Sequence, residues 1–345
     1  MSQPTSDDFL RISSKIRVLP IIHGSGDFAV CAREELLNRP YDCLAVPLPP
    51  SFQGQVEDAI EELPRLSVVI QRDADEEGFS YVPIDPCQGV IAALRCAIGE
   101  RIPRRFIDKE TPKFEAVTGN FPDPYALKRV RPETFAAGVL PAIPKPPPGQ
   151  ITERIRWMAL ELRRLEKRFS NILLVCSLLE WPWIREAYQD QVEADEEENF
   201  YAAIETFGIT SETILFLLSE LPFITALYER GREEWTPDDN LSIDGVKELV
   251  LETREELRQN SSRIAERLTP QTLSVFFRYV RNLALIERRL TPDLYSLVTA
   301  AKQIAGDDFA LALIDKAREY AYAEGIDERP SVRMGIDEAE VPIWG

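Results

Sequence analysis

Between residues 15 and 110 the chain alternates short β-branched and aliphatic runs with helix-periodic stretches, and no other feature constrains its fold as much. "KIRVLPII" (15–22) reads as a buried strand and "DFAVCAREELLNR" (27–39) as the helix after it. "YDCLAVPLP" (41–49) is a second strand stopped by prolines, "QVEDAIEELPRL" (55–66) is helical up to Pro64, and "SVVIQR" (67–72) is a third strand. "SYVPI" (80–84) reads as a fourth, followed by the helix "CQGVIAALRCAIGER" (87–101), and "PRRFIDKE" (103–110) as a strand that emerges at Asp108. Parallel neighbours need long crossovers, which such helices supply. The expected class is α/β, a mostly parallel sheet flanked by helices.

The rhythm breaks over 111–150, where densely set prolines from Pro122 to Pro148 predict an extended connector. "TERIRWMALELRRLEKRF" (152–169) is then a helix, with Thr152 fitting its N-cap and Ile155, Met158, Ala159 and Leu162 on one apolar face. "NILLVCSLLEW" (171–181) returns to a buried strand. After an acidic hinge, "VEADEEENF" (192–200), the periodicity is helical nearly to the end. Two Arg-Leu-Thr-Pro tetrapeptides mark helix starts, with Thr269 and Thr291 as N-caps and Pro270 and Pro292 at the first helical position, and Gly306 fits a helix stop. The expected organisation is an α/β domain over 1–190, an all-helical C-terminal domain over 191–330, and an irregular tail over 331–345.

Net charge is −18, and most of the deficit lies beyond residue 190. An acidic domain repels phosphates, which argues against nucleic-acid partners. The excess is either a solvated helical surface or a docking face for a basic protein partner. The five cysteines, Cys31, Cys43, Cys87, Cys96 and Cys176, show no paired spacing and read as reduced thiols among apolar neighbours. The start, "MSQPTSDDFLRISS", lacks the basic and apolar regions of a signal peptide, and no apolar run is long enough to cross a membrane. A soluble, cytoplasmic protein is expected.

His23 is the single histidine, at the point where the first strand gives way to Gly24-Ser25-Gly26 and a helix. No Gly-x-Ser-x-Gly elbow accompanies it. The glycine loop is either a cradle of backbone N–H groups for an anion, making Gly24, Ser25 and Gly26 ligand-binding, or a tight turn that needs φ > 0. His23, Asp108 and Glu180 each stand at a strand exit, the edge where open α/β sheets collect ligands. Such a trio either binds a divalent metal or activates water, as an oxygen-rich set suiting Mn²⁺ or Mg²⁺ better than zinc, or its acids are caps of the helices that follow.

In the order of these motifs the chain resembles the TraB/PrgY, TIKI, ChaN and erythromycin esterase-like superfamily. "VLPIIHGSGDFAVCAREELL" is similar to its first histidine motif, "PRRFIDKE" to a later strand with its Asp, and "ERIRWMA" (153–159) to its Glu-Arg-Asp-x-x-Met-Ala helix. "NILLVCSLLEWPWI" resembles its second Gly-x-x-His strand. Active members are metal-dependent hydrolases or peptidases, so the resemblance implies a site around His23, Arg154, Asp108 and Glu180, with Glu153 beside it. Three positions depart from the pattern. Pro47 stands where the family has Glu, Glu180 where it has the second His, and Ile155 where the helix has Asp. The departures imply a degenerate, mainly non-catalytic domain that binds a ligand or partner. The alternative they leave is a metal-dependent esterase or peptidase, with metal on His23, Asp108 and Glu180 and Arg154 holding an oxyanion.

Overall fold

The computed structural model describes residues 9–72, 79–115, 117, 119, 121–193, 203–233, 243–260, 268–323 and 330–333. The chain divides into two compact units, Met1–Ser219 with Ile326–Gly345, and Glu220–Gly325.

The first unit is built on a four-stranded, wholly parallel sheet in the order β1 (Ile16–Ile21), β6 (Ile172–Ser177), β2 (Cys43–Val46), β5 (Arg104–Phe106). Every residue of β1, β2 and β6 is buried, as their unbroken aliphatic runs require of strands covered on both faces. Pro20 has no N–H to give a ladder, and β1 is accordingly an edge strand. Helices α1 (Gly26–Asn38) and α3 (Gly89–Gly99) pack on each other, as do α5 (Gln150–Glu166) and α6 (Trp181–Gln189). The expected fold class therefore holds. All five cysteines are free thiols, with Cys43, Cys87 and Cys176 buried.

Several expectations are corrected. β3 (Ser67–Arg72) and β4 (Phe79–Ile84) do not join the parallel sheet. They form an antiparallel pair in a second sheet, ordered β4-β3-β7-β8. The third strand, β7 (Ile204–Ile209), lies in the stretch expected to be helical, and it pairs with β3 from Ser67 opposite Gly208 to Gln71 opposite Ile204. The α/β part thus does not stop at residue 190. β8 (Ser331–Val332), in the tail expected to be irregular, runs parallel to β7. The rest of that tail from residue 334, and the acidic hinge from residue 194, lie outside the described residues.

The proline-rich connector is not extended. Prolines open a 3₁₀ turn at Pro124–Lys128 and the helix α4 (Pro132–Val139), because a fixed φ near −65° suits a first helical position. α4 buries Phe135 edge-on to Phe28 at 5.6 Å and brings Glu133 to the buried Arg17 at 2.5 Å. Thr152 is not the N-cap of α5. Gly149 is, at φ 120°, and the Thr152 hydroxyl donates to the carbonyl of Pro147 at 2.7 Å. α2 (Gln53–Glu61) and α7 (Ser211–Leu217) complete the unit.

The second unit is helical throughout its described length: α8 (Pro222–Glu233), α9 (Ile243–Asn260), α10 (Pro270–Ile286), α11 (Leu294–Ala305) and α12 (Asp307–Ala317). α12 packs on α8, α9 and α11, and its Phe309 meets Phe276 of α10 edge-on at 6.2 Å. Thr269 caps α10 as expected, its hydroxyl accepting from the Thr272 N–H at 3.2 Å. Thr291 does not cap α11. Asp293 does, accepting from the Ser296 N–H at 2.8 Å, so Pro292 precedes the cap instead of taking the first helical position. Gly306, at φ 95°, ends α11 and starts α12 at once. No single helix among the described residues is long and apolar enough to cross a membrane.

Candidate functional site at the strand exits

Parallel strands deliver their carboxyl ends to one edge, and here that edge collects the singled-out polar residues. Ile21 lies opposite Ser177 in the sheet, so His23 and Glu180 leave it from neighbouring strands, while Asp108 follows β5. Arg154 reaches in from α5.

Asp108, Arg154 and Glu180 form one buried cluster. Arg154 grips Asp108 with two nitrogens: Nε lies 3.1 and 3.0 Å from the two carboxylate oxygens, and Nη2 lies 2.6 Å from Oδ2. The same Nη2 is 3.7 Å from Oε1 of Glu180, and Nη1 donates to the carbonyl of Glu115 at 3.2 Å. The ring of Phe114 caps the guanidinium, its centroid 4.1 Å from Cζ. Phe114 was not legible as part of this site, since nothing in "TPKFEAV" marks a cation–π partner. Asp108 is 0 % exposed, Arg154 2 % and Glu180 4 %, so this is a desolvated ion cluster rather than a rim of surface charge. Burial pushes the Glu180 carboxyl up to about 7, the nearby Asp108 charge adding to the shift and Arg154 opposing it. Arg154 stays firmly charged: burial opposes the cation, but the two carboxylates outweigh it.

His23 belongs to a different neighbourhood. The residue is half-buried, both ring nitrogens are sealed from solvent, and its hydrogen-bonding partner is Gln88. Burial lowers its pKa to about 3, so the imidazole is neutral. Gln88 also accepts from the N–H of Gly24 at 3.3 Å and of Gly89 at 3.0 Å, tying the loop after β1 to the start of α3. Asp85, wholly buried at the exit of β4, accepts from the N–H of Cys87 and of Ser219, both at 2.8 Å. Gln88 and Asp85 also escaped the sequence reading; Asp85 ends a strand just as Asp108 does, so the same signal was available.

The glycine loop is a turn. Gly24 has φ 77°, a conformation that side chains resist, and Ser25 sits at the N-cap of α1 without a side-chain capping bond. Ser25 and Gly26 are buried beneath the exposed Gly24. Glu153 does not join the cluster. Consecutive residues on a helix point about 100° apart, so with Arg154 turned inward Glu153 faces outward, 47 % exposed and 3.2 Å from Lys109.

The metal set of His23, Asp108 and Glu180 is not assembled. Among the described residues, no group of three His, Cys, Asp or Glu side chains is placed to hold an ion. Asp108 has both oxygens on Arg154, and Oδ1 also accepts from the Lys109 N–H at 2.8 Å. A divalent cation beside Asp108 and Glu180 would face the guanidinium that neutralises them. The donor set does not fit Mn²⁺ or Mg²⁺.

No family model, characterised protein or solved structure matches the chain.

Proposed function

We propose that the first unit is a divergent TraB/ChaN-type domain whose strand-exit site has closed on itself, and that the protein acts by binding a ligand or protein partner rather than by hydrolysis. The bidentate grip of Arg154 on Asp108, both essentially without solvent exposure, carries this reading. A hydrolytic site needs groups held ready for substrate: a carboxylate to activate water or hold metal, and a cation facing a developing oxyanion. Here the carboxylate and the cation saturate each other. The departures at Pro47, Glu180 and Ile155 point the same way. Pro47 has no functional group, and the buried Ile155 is part of the apolar face of α5.

The metal-dependent hydrolase remains the opposing reading, and one experiment separates the two. Purified full-length protein is incubated with Mn²⁺ or Mg²⁺, assayed for bound metal by mass spectrometry, and assayed with ester and peptide substrates beside His23→Ala and Asp108→Asn variants. The binding reading expects substoichiometric metal and no hydrolysis above the variants. Stoichiometric metal together with turnover lost in both variants overturns it.

A further inference from the structure

The helical unit carries a concavity whose chemistry differs from its surroundings. Val246, Phe277 and Val280 contribute apolar lining to a groove of about 470 Å³ between the start of α9 and the face of α10. Lys247, Arg278 and Arg281 bring three cations to the same groove, and all three are exposed. Elsewhere in this unit Arg258 pairs with Glu255, Arg289 with Asp293, and Lys316 with Glu319 and Glu256; the groove is set apart by three cations that converge on one apolar hollow. Among the described residues, none of the three groove cations has an ion pair or a hydrogen bond. One turn beyond Arg281 on the same helix, Leu285 is 52 % exposed.

In a unit with more acidic than basic residues, these three exposed cations make a locally positive rim around an apolar hollow. Arg278 and Arg281, three apart on one helix, repel each other by a few tenths of a kcal/mol in the manner of any like pair. A ligand complements both features if it brings carboxylates for the rim and an apolar side chain for the hollow. We propose that this groove docks an acidic amphipathic segment of a partner protein, its carboxylates on Lys247, Arg278 and Arg281 and an aliphatic or aromatic anchor against Val246, Phe277 and Val280. Nucleic acid suits it poorly, because the groove offers three cations around one apolar hollow rather than an extended basic track for successive phosphates. A bilayer suits it poorly too, since membrane-surface helices present a convex apolar face with cations at its flanks. The sign is opposite to the basic partner that the overall charge suggested. The inference concerns the second unit and does not rest on the reading of the strand-exit site.

The test uses the full chain and fluorescently labelled helical peptides with leucine and tryptophan on one face and either glutamate or lysine on the other. The proposal expects saturable binding of the glutamate peptide that weakens as salt rises. It expects a loss of about tenfold or more in an Arg278→Glu/Arg281→Glu variant, and a similar direction in Lys247→Glu. These side chains are exposed, and unchanged helical circular dichroism confirms that each variant folds. The proposal is overturned if the glutamate peptide does not bind, or binds wild type and variants alike. It is also overturned if charge reversal abolishes binding to phosphatidylserine vesicles or single-stranded oligonucleotides while the glutamate peptide stays indifferent to it.

Discussion

Arg154 shows how one side chain can decide whether a site is open or shut. It neutralises Asp108 and approaches Glu180, so its removal strands buried carboxylates without a counter-charge. Breaking a buried pair from one side costs about 3–5 kcal/mol, and Arg154→Met should lower the urea midpoint accordingly. A loss of less than about 1 kcal/mol would mean that the cluster contributes little to the fold. Two neighbouring groups give opposite pH dependences. Glu180 has a folded pKa near 7, above its ordinary 4.5, so the folded state holds the proton more tightly and its contribution is lost as pH rises through that window. His23, lowered from 6.5 to about 3, contributes stability above 6.5 that is lost as pH falls toward 3. Glu180→Gln should therefore flatten the decline in stability between about pH 5 and pH 8, and His23→Gln should flatten the acid limb below about pH 6. Denaturant midpoints across pH check both, and profiles parallel to wild type would contradict the assignment.

At the level of elements, the strands and helices that proved easiest to read were the most buried. β1, β2 and β6 are unbroken aliphatic runs, and burial on both faces leaves no polar alternation to confuse them with anything else. β7 was hidden because it is mostly half-exposed: Ile204, Thr206 and Phe207 alternate with Glu205 only loosely, and Gly208 interrupts the pattern. α4 was hidden by prolines that start helices as readily as they prevent them. Strand exits were legible because they are set by where aliphatic runs stop. The pairing among Asp108, Arg154 and Glu180 was not, since it depends on the angle at which α5 crosses that edge. The position of β7 has a direct consequence for truncation. A chain cut after residue 190 leaves β3 with an unpaired edge, whereas one cut after Ser219 keeps the β3–β7 pairing. The longer fragment should give a cooperative thermal transition by circular dichroism and the shorter should aggregate; equal behaviour of the two would show that β7 is dispensable.

For the whole chain, a net charge of −18 means that the folded protein works against its own repulsion. Raising ionic strength from about 0.01 M to 0.15 M shrinks the Debye length from roughly 30 Å to 8 Å, so the thermal midpoint should rise. A fall instead would show that ion pairs such as Arg104–Glu57 outweigh the general repulsion. Total charge was fully legible in the sequence, but its local arrangement was not. The groove of Lys247, Arg278 and Arg281 is basic within an acidic chain, and only the folding of α9 beside α10 brings those positions together. The second sheet also places a demand on synthesis. β3 leaves the ribosome well before β7, by on the order of ten seconds at ordinary elongation rates, and β8 follows near the end of the chain. During that interval the β3–β4 hairpin offers an open edge of Ser67, Val68, Val69 and Ile70 to any other nascent strand nearby. Slowing translation between β3 and β7 should therefore lower the soluble yield on expression.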